Sequence, residues 1–573
     1  SISIIGQTRL VTNGSKFSIE NNQPLKTNNA IGVHNGIFVN IELDKASTIT
    51  KKYESFYERS DSLKFYEKIS ELVNRKDFIH NYLELLKNLR GNYSLAFFLK
   101  DYQEIFLSSN CGSLYYYYDQ TKDFFAFASE KNILSKYIKK SALFKKNKST
   151  FNGSLITQCF NKTIIFNPKK NQLTIFNHAL QNIEIKEKNY SLENKIESNI
   201  SSNVDEDMDR FVKIKRCSKC ILPITYPFIT FDKNGVCNYC LDYKKQVFLG
   251  DNKLNELLDK YRSKNNEPDC LVGLSGGRDS CYGLHILKTK YKMNPIAYTY
   301  DWGLTTDIAR INASKVCGKL GIEHIIRSPD IEKKRSYVRK NILAWLKKPK
   351  LGMLPIVHVG DKKFFDYGRI LSKELNLKLV VHCTGVQLEQ REFFLGFAGI
   401  KQKLTNNQKM YSYSLLNKIK MFYWYSLQFI LNPSYINSAL LDNLDGFLAS
   451  FIRKDNFLQL YNYERWDEDK ITKTLNEEYE WKDDISYGKN QWRMGDGQTA
   501  FNNFVYFTLA GFSEFDQFRS NQIREGLIER KEALRLCEED NKIKYDTLKT
   551  FSEIVGFNLD YILSKISCIP KLY

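Results

Sequence analysis

A short apolar run that ends in a serine- and glycine-rich loop most constrains how this chain folds. Residues 270–274 read CLVGL, the loop SGGRDS follows at 275–280, and apolar residues then recur with helical spacing. Glycines in such a loop let backbone N–H groups approach a phosphate, and the start of the helix adds the positive end of its dipole. The plain alternative is a strand-to-helix turn without a ligand. We favour a phosphate site, with Asp279 holding Mg²⁺, formed by Ser275, Gly276, Gly277, Asp279 and Ser280.

Strands and helices alternate after this loop. Residues 294–303 predict a second strand that ends at Asp301, and a later strand ends at Gly385. This alternation predicts a parallel sheet, in which ligands bind beyond the carboxyl ends of the strands. Asp301 and Gly385 are therefore predicted to line the same ATP site as the loop.

The loop lacks the G-x-x-x-x-G-K-[ST] pattern of a Walker A sequence. It resembles the SGGxDS loop of the ATP pyrophosphatase (PP-loop) superfamily. The resemblance implies an adenine nucleotide α-hydrolase-like synthetase domain that splits ATP to AMP and pyrophosphate.

Four cysteines precede the loop with the spacing C-x2-C-x16-C-x2-C: Cys217, Cys220, Cys237 and Cys240. Each C-x2-C pair can supply two thiolates to one tetrahedral ion, so the spacing predicts a structural zinc knuckle. Redox or sulfur-carrier chemistry is the competing interpretation, although four thiolates held on zinc are poor sulfur carriers. The other eight cysteines are scattered, which argues against a disulfide scaffold and favours a reducing cytoplasm.

The knuckle and the loop, in this order and with the sequence ITFDKNGVCNYC (229–240), resemble the N-acetyl sugar amidotransferases of surface-polysaccharide pathways. The resemblance runs from about Arg216 to the end of the chain. Residues 491–534 resemble the substrate-side region of that family, although ordinary surface charge is the simpler interpretation of any one arginine there. The resemblance implies substrate-binding roles for Arg493, Asp496, Arg519 and Arg524.

The N-terminal third carries several short motifs in order: IGQTRLVTNGS, GVHNGIFVN, RSDSLKFYEKI and LRGNYSLAFFL. They resemble the glutaminase domain of class II glutamine amidotransferases, the domain fused to asparagine synthetase, over about residues 1–175. The resemblance implies an αββα fold of the N-terminal-nucleophile type. It also implies that Arg9 pairs with the glutamine carboxylate and Asp61 with its amine, while the Asn35 side chain and Gly36 N–H form the oxyanion hole. Taken alone, the Asn35-Gly36 pair predicts a hairpin turn.

In that family the nucleophile is an N-terminal cysteine on a strand that precedes the Thr-Arg motif. Here Ser1 begins the strand that carries this motif, and Cys111 and Cys159 lie in no comparable context. We therefore expect that the cysteine segment is absent from this chain or that glutaminase activity has been lost, so that the chain alone does not hydrolyse glutamine.

Residues 181–212 are polar and predict a linker, whereas residues 401–455 form an aromatic, basic insertion with a central proline. The insertion predicts either an interfacial helix on a membrane or a helical pair packed on the protein or a second subunit, and aromatic residues at helical spacing favour packing. The predicted domains are the glutaminase at 1–180, the zinc knuckle at 213–245, the PP-loop domain at 246–400 and a helical substrate-side region at 456–573.

The chain has 573 residues and a formal net charge of +20, which favours anionic partners. Its lysines are spread along the chain, so solubility explains this charge equally well. We find no apolar run of membrane-spanning length and no export signal, and expect a cytoplasmic protein.

Together these features predict an α/β and α+β multidomain ligase that uses glutamine or ammonia, ATP, Mg²⁺ and a structural Zn²⁺ to make bacterial O-antigen polysaccharide. ATP would activate the carboxylate of a nucleotide-linked uronic acid as an adenylate, and ammonia would displace AMP to give a uronamide. Conversion of an acetamido to an acetamidino group on an N-acetyl sugar is the alternative product, and Glu389 is a candidate second carboxylate of the active site.

The alternative of another class is a PP-loop tRNA-modifying enzyme that binds RNA through its positive charge. We find no RNA-binding motif and expect no nucleic acid partner. A homodimer and a peripheral membrane contact stay open.

Overall fold

The computed structural model describes residues 5–6, 22–38, 60–89, 91–119, 124–140, 156–178, 214–265, 267–384, 392–401, 414–453, 457–483 and 498–573. The chain divides into two compact units. Unit 1 comprises Ser1–Ile183, Arg262–Glu332 and Thr472–Lys482, and unit 2 comprises Glu184–Tyr261, Lys333–Ile471 and Asp483–Tyr573. The range 246–400, predicted as one domain, contributes residues to both units.

The N-terminal part of unit 1 contains two antiparallel sheets. The strands of the larger sheet are β1 Leu25–Lys26, β2 Ala30–Phe38, β3 Gly91–Leu99, β4 Glu104–Ser109, β8 Lys162–Asn167 and β9 Gln172–Asn177. They lie in the order β1-β2-β3-β4-β8-β9. The strands of the smaller sheet are β5 Tyr115–Asp119, β6 Phe124–Ala128 and β7 Thr157–Gln158. They lie in the order β6-β5-β7.

The remaining described strands are β10 Cys270–Gly273, β11 Pro295–Tyr300, β12 Glu323–Arg327, β13 Leu379–His382 and β14 Leu458–Gln459. In chain order, the described α-helices are α1 Asp61–Val73, α2 Phe78–Asn88, α3 Lys131–Lys140, α4 Asn238–Leu241, α5 Asp251–Asp259, α6 Arg278–Thr289, α7 Asp307–Leu320, α8 Ile331–Lys347, α9 Lys363–Glu374, α10 Glu392–Gly396, α11 Leu415–Leu431, α12 Leu440–Phe447, α13 Glu468–Tyr479, α14 Thr499–Ala510, α15 Glu514–Glu525, α16 Arg530–Asp540, α17 Tyr545–Val555 and α18 Leu559–Ser567. Segments Leu351–Lys362, Pro433–Tyr435 and Leu460–Asn462 are 3₁₀-helical, and Leu448–Ile452 is a π-helical turn.

The alternation of side chains along the strands separates three apolar cores in the N-terminal part of unit 1. One core joins α1 and α2 to one face of the large sheet and contains Tyr66, Tyr82 and Phe97. A second joins the opposite face, through Ala96, to the small sheet, through Tyr116. A third joins the small sheet to α3. The layers therefore run helix, sheet, sheet, helix.

The rest of unit 1 is built on the parallel strands β10, β11 and β12. Cys270 lies opposite Pro295, and Ile296 lies opposite Glu323. Helix α6 follows β10 and α7 follows β11, which is the alternation that the sequence predicts for a parallel sheet. The prediction of parallel α/β structure is thus confirmed.

Unit 2 contains the four cysteines, the parallel pair β13 and β14, and the helices at the C-terminal end of the chain. Helix α15 begins with a capping box, in which the Asp516 side chain accepts from the Ser513 N–H at 2.9 Å. Rings of Phe501 on α14 and Phe551 on α17 lie 5.7 Å apart. The predicted helical C-terminal part is therefore present.

The predicted insertion is only partly described, because residues 402–413 and 454–456 lie outside the described residues. Its described part contains α11, which ends just before the 3₁₀ turn at Pro433. Met421 of α11 packs against Leu395, Ala398 and Ile400, so one face of this helix is covered by unit 2. None of the described helices has both the length and the apolar character needed to cross a membrane.

Candidate functional site

The Asn35-Gly36 pair lies within strand β2 and not in a turn. Asn35 is opposite Ser94, and Gly36 is opposite Tyr93, in the antiparallel ladder with β3. Gly36 has a φ of 141°, a backbone conformation that residues with side chains rarely adopt, so glycine suits this point of the strand. The hairpin interpretation is therefore excluded, and the pair is held inside the large sheet.

Asp61 is tied to the same strand. It is the first residue of α1, where the helix dipole favours a negative charge. Its Oδ2 accepts a hydrogen bond from the Phe38 N–H (2.9 Å), and its Oδ1 accepts one from the Ser62 N–H (2.8 Å). Ser62 Oγ in turn lies 2.8 Å from His34 Nδ1. The predicted amine ligand thus lies at the end of the strand that carries the Asn-Gly pair, whereas Arg9 lies outside the described residues.

The loop between β10 and α6 is closed by hydroxyl hydrogen bonds. Ser280 Oγ accepts from the Ser275 N–H (3.1 Å), lies 3.0 Å from Ser275 Oγ and donates to the Gly277 carbonyl (3.1 Å). Gly277 is the N-cap of α6, and Asp279 lies in the first turn of that helix. The first N–H groups of a helix and its dipole both favour an anion, so the predicted phosphate residues are brought together at a suitable place.

Gly276 is the residue of this loop that the surrounding structure restricts most. Its φ is +82°, and a Cβ added there would overlap the backbone carbonyl of Ala309 on α7. The Trp481 Nε1–H donates to the Gly276 carbonyl at 3.2 Å. The loop is therefore pressed between α7 and a tryptophan from a distant part of the chain.

Asp301 follows β11 and belongs to a buried ion pair. Arg310 Nε lies 2.8 Å from Asp301 Oδ2, and the Gly303 N–H donates to Asp301 Oδ1 at 3.0 Å. Burial alone would raise the pKa of Asp301, but the charge and hydrogen bonds of Arg310 hold this pKa below its ordinary value. The carboxylate organises the turn after β11, and its contact with ATP stays a prediction. Gly385 and Glu389 lie outside the described residues.

Buried polar groups connect the N-terminal layers of unit 1 to this loop. We call the set the polar seam; its members are Ser94, Ser109, Cys111, Ser113, His324 and Thr299. On the N-terminal side, Ser94 Oγ lies 2.9 Å from Ser109 Oγ and 3.4 Å from Cys111 Sγ. Ser113 Oγ donates to the His324 carbonyl at 3.0 Å and so crosses to strand β12. The seam begins at Ser94 on β3, which lies opposite Asn35 on β2.

His324 carries the seam toward the loop. Its Nε2 lies 2.8 Å from Thr299 Oγ1, and Thr299 Oγ1 donates to the Leu274 carbonyl at 2.5 Å. The Thr299 hydroxyl hydrogen is used for the Leu274 carbonyl, so His324 Nε2 must be the donor in its hydrogen bond to Thr299 Oγ1. In the neutral ring this leaves Nδ1 as an acceptor. Within the described part of the chain, no group hydrogen-bonds to this Nδ1. Burial lowers the pKa of His324 to about 4, so its ring is neutral near pH 7.

The four cysteines form one closed cluster in unit 2. The Sγ atoms of Cys217 and Cys240 are 4.0 Å apart, those of Cys220 and Cys237 are 3.7 Å apart, and all four lie within 4.8 Å of one another. Four sulfur atoms at the Zn–S distance of about 2.3 Å define a tetrahedron with edges of about 3.8 Å. The spacing therefore fits a single tetrahedral ion, and all four side chains are buried, as in a structural site.

Arg524 of α15 is buried against this cluster. It donates through Nε to Cys240 Sγ and through Nη2 to Cys220 Sγ, both at 3.3 Å. Arg530 Nε donates to the Cys220 carbonyl at 3.0 Å. Four thiolates on a divalent ion leave negative charge uncompensated, and the buried guanidinium offsets part of it.

Arg519 is the other described arginine with a predicted substrate role. It is buried, its Nη2 lies 3.2 Å from Asp540 Oδ2, and its Nη1 donates to Gln522 Oε1 at 2.8 Å. Substrate binding by Arg519 and by Arg524 stays a prediction. Arg493 and Asp496 lie outside the described residues.

Several residues of these sites carry no local signal in the sequence. Trp481 contacts a loop residue 205 positions away. Thr299 and His324 lie within short strands whose sequences, PIAYTY and EHIIR, form no motif. The sequence carries one signal for Arg310. It lies three residues after Asp307, a spacing that predicts an ion pair along a helix, and the two side chains are 2.8 Å apart on α7.

Comparison with known proteins identifies the N-terminal part of the chain. Residues 7–136 match the family model described as a glutamine amidotransferase domain. The chain therefore contains such a domain, and its matched range includes Asn35, Gly36 and Asp61.

Two individual proteins are also similar. An uncharacterized protein of Methanocaldococcus jannaschii is 26% identical over 119 residues, which is 20% of this chain and 43% of that relative. The chain thus spans less than half the length of this relative. A structure of the U34-tRNA thiolase NcsA from Methanococcus maripaludis with its [4Fe-4S] cluster is 15% identical, with 62% of this chain and 98% of that chain covered. Its TM-score is 0.20, which carries no argument about this protein.

We expect Gly276→Ala to weaken Mg-ATP binding at least about tenfold, which corresponds to about 1.4 kcal/mol. The added Cβ meets the Ala309 carbonyl and the backbone has a positive φ, so the loop must shift. Isothermal titration calorimetry with Mg-ATP measures the effect. Gly321→Ala is the matched control, because Gly321 also has a positive φ (+65°) but its added Cβ meets nothing within 4 Å. Equal binding by both variants would contradict the assignment of this loop to nucleotide.

If the cysteine cluster binds added Zn²⁺, we expect Arg524→Met to weaken this binding about tenfold to a hundredfold, as loss of an outer hydrogen bond to a metal ligand does. Competition with a chromophoric chelator measures the affinity. Arg535→Met on α16 is the control, because Arg535 is exposed and pairs only with nearby acids on its own helix among its described contacts. An Arg524 variant that holds zinc as firmly as the control would show that the guanidinium does not stabilise the site.

Proposed function

We propose that this protein is an ATP-dependent amidotransferase that takes nitrogen from glutamine and forms an amide on an acidic sugar. The proposal rests on the two parts of the chain that unit 1 contains. One compact unit holds both the glutamine amidotransferase domain and the loop at Ser275–Ser280, and buried hydrogen bonds join the two parts. Glutamine amidotransferase domains release ammonia, and a nucleotide loop in the same unit offers a use for it.

The proposed glutamine site uses the residues at the end of β2. The Asp61 carboxylate, oriented by two backbone N–H groups, would bind the glutamine ammonium group. The Asn35 side chain and the Gly36 N–H would stabilise the oxyanion formed when the side-chain amide is attacked. Arg9 would pair with the α-carboxylate. Water and glutamine then yield glutamate and ammonia.

The proposed synthetase site uses the loop at the start of α6. Its N–H groups and the Ser275 and Ser280 hydroxyls would hold the ATP phosphates, and Asp279 would hold Mg²⁺, which neutralises phosphate charge. A carboxylate oxygen of the acceptor attacks the α-phosphorus, pyrophosphate leaves, and an acyl adenylate forms. Ammonia attacks the acyl carbon, AMP leaves with the acyl oxygen, and a proton is released. The protein contributes mainly position and charge.

The cysteine cluster would hold a structural zinc ion. Four sulfur ligands leave no open coordination position, so the ion would brace unit 2 without contacting substrate. The 3.7–4.0 Å sulfur spacing supports one ion in preference to a multi-iron cluster, whose ligands bind different metal atoms.

The acceptor is proposed from family resemblance. A fused glutaminase of the asparagine synthetase type favours a carboxylate acceptor and hence a uronamide. An acetamidino product on an N-acetyl sugar is the alternative, and modification of tRNA is the alternative from another class.

The first test incubates the chain with Mg-ATP, ammonium chloride and nucleotide-linked sugars, both uronic and N-acetylated. We expect AMP, pyrophosphate and a product about one mass unit lighter with a uronic sugar only, since an –NH₂ group replaces an –OH group. Ser280→Ala should abolish AMP formation, whereas Ser564→Ala, at an exposed position of helix α18, should not. AMP formation with a neutral N-acetyl sugar would favour the amidine. No AMP with any sugar would overturn the sugar proposal, and tRNA would then be the acceptor to test.

We also propose that ammonia moves along the polar seam. Ammonia is small and neutral, and the seam offers it hydrogen-bonding groups from Ser94, beside Asn35, to Thr299, beside the loop. The neutral His324 ring leaves Nδ1 as an acceptor for an ammonia N–H. Because the ring is not in the acidic imidazolium form near pH 7, it does not convert ammonia to ammonium.

In a preparation of the protein that hydrolyses glutamine, Thr299→Val should lower amide formation from glutamine about tenfold and leave amide formation from ammonium chloride within about twofold. Glutamate released per amide formed should rise. Thr163→Val is the matched control, because Thr163 is also a buried threonine and is hydrogen-bonded in the large sheet outside the seam. Equal losses with both nitrogen donors would instead indicate that Thr299 acts only on the synthetase loop.

A further inference from the structure

Helix α11 presents an unusually apolar surface to solvent. Six of its apolar side chains are 56–74% exposed: Leu415, Leu416, Ile419, Phe422, Tyr423 and Ile430. With the helical period they fall on one side of the helix. A soluble helix normally turns such a side toward a core.

The opposite side of α11 is firmly packed. Met421 is fully buried and Gln428 is 4% exposed. Tyr425 donates to the Gly352 carbonyl at 3.1 Å, and Trp424 contacts the same small core. The helix is therefore anchored through one face, and its apolar outer face is a stable feature of the folded unit.

The charged residues that flank the helix in sequence have one sign. Residues 393–441 contain five lysines and no aspartate or glutamate. Two of the lysines, Lys418 and Lys420, lie on α11 itself and, by helical spacing, at opposite edges of the apolar face. Long lysine side chains at the edge of an apolar face can reach outward while their stems stay in apolar surroundings.

This charge pattern discriminates between occupants of the face. Two copies of the chain meeting through α11 about a two-fold axis would bring the same lysines together without an acidic partner nearby in sequence. An anionic lipid surface supplies apolar chains for the face and phosphates for the lysines. Phe422 and Tyr423 also suit the boundary between headgroups and chains.

We propose that α11 is an interfacial helix that binds the surface of a bilayer containing anionic phospholipid. Its apolar face enters the boundary region, its lysines contact headgroup phosphates, and its opposite face keeps unit 2 attached. The inference does not depend on the proposed reaction. It places the protein at a membrane surface through a helix that lies on the bilayer and does not need to span it.

The test is co-sedimentation of the full chain with vesicles of phosphatidylcholine alone or of phosphatidylcholine mixed with phosphatidylglycerol. We expect binding to the mixed vesicles that weakens with added salt, and little binding to phosphatidylcholine. The triple variant Ile419→Ser, Phe422→Ser, Ile430→Ser should bind at least about tenfold more weakly. Lys418→Gln and Lys420→Gln should each cost about fivefold.

The control variant is Tyr137→Ser, Val247→Ser, Leu572→Ser, which removes three apolar side chains that are 56–81% exposed and do not belong to α11. It should bind vesicles as the parent chain does. Circular dichroism and light scattering accompany each variant. No binding of the parent to mixed vesicles, or equal binding by both triple variants, would overturn the proposal. A parent dimer that the α11 variant converts to monomer, without vesicle binding, would assign the face to a second copy.

Discussion

Buried hydrogen bonds between the glutamine amidotransferase domain and the parallel strands hold unit 1 together. The Lys131 N–H donates to Glu323 Oε1 at 2.8 Å, and Ser113 Oγ donates to the His324 carbonyl. A buried polar group left without its partner costs about 1–3 kcal/mol, so these bonds specify how strand β12 meets the N-terminal layers. Burial raises the pKa of Glu323 to about 7. The two parts therefore behave as one body, and this permits a reaction in which one part supplies what the other consumes.

In unit 2 the cysteine cluster has a comparable organising role. Charged contacts hold the cysteine cluster to α15. The Arg216 guanidinium pairs with Asp516 at 2.7 Å, and Arg524 donates to the sulfur atoms of two of the cysteines. Both members of the Arg216–Asp516 pair are almost completely buried. Buried ion pairs stabilise little by themselves, but breaking one leaves an uncompensated charge. The cysteine cluster and the C-terminal helices are thus coupled, and disruption of either weakens the other.

The distribution of charge carries more information than its sum. A net charge of +20 is compatible with many partners. Many acidic and basic side chains in the described regions are paired, as in the contacts of Asp301 and Asp442 with arginine or lysine. The lysines near α11 lie in a stretch without acids, beside an apolar face. Composition alone leaves solubility and a specific anionic partner equally favoured. The position of Lys418 and Lys420 on a folded helix is the observation from which we propose an anionic partner.

The sequence by itself determined the parts whose causes are local. Glycine and serine between an apolar run and a helical pattern predicted the loop at 275–280, C-x2-C pairs predicted the cysteine cluster, and strand–helix alternation predicted parallel structure. Only the tertiary structure decided which groups meet. Asn35-Gly36 lies in a strand and not in a turn, and Asp301 pairs with Arg310. Arg524 contacts thiols, and Arg519 contacts a carboxylate. Local patterns record periodicity and turn chemistry, because these depend on neighbouring residues. Contacts such as Trp481 on Gly276 depend on which surfaces are buried together, and no short stretch of sequence carries that information.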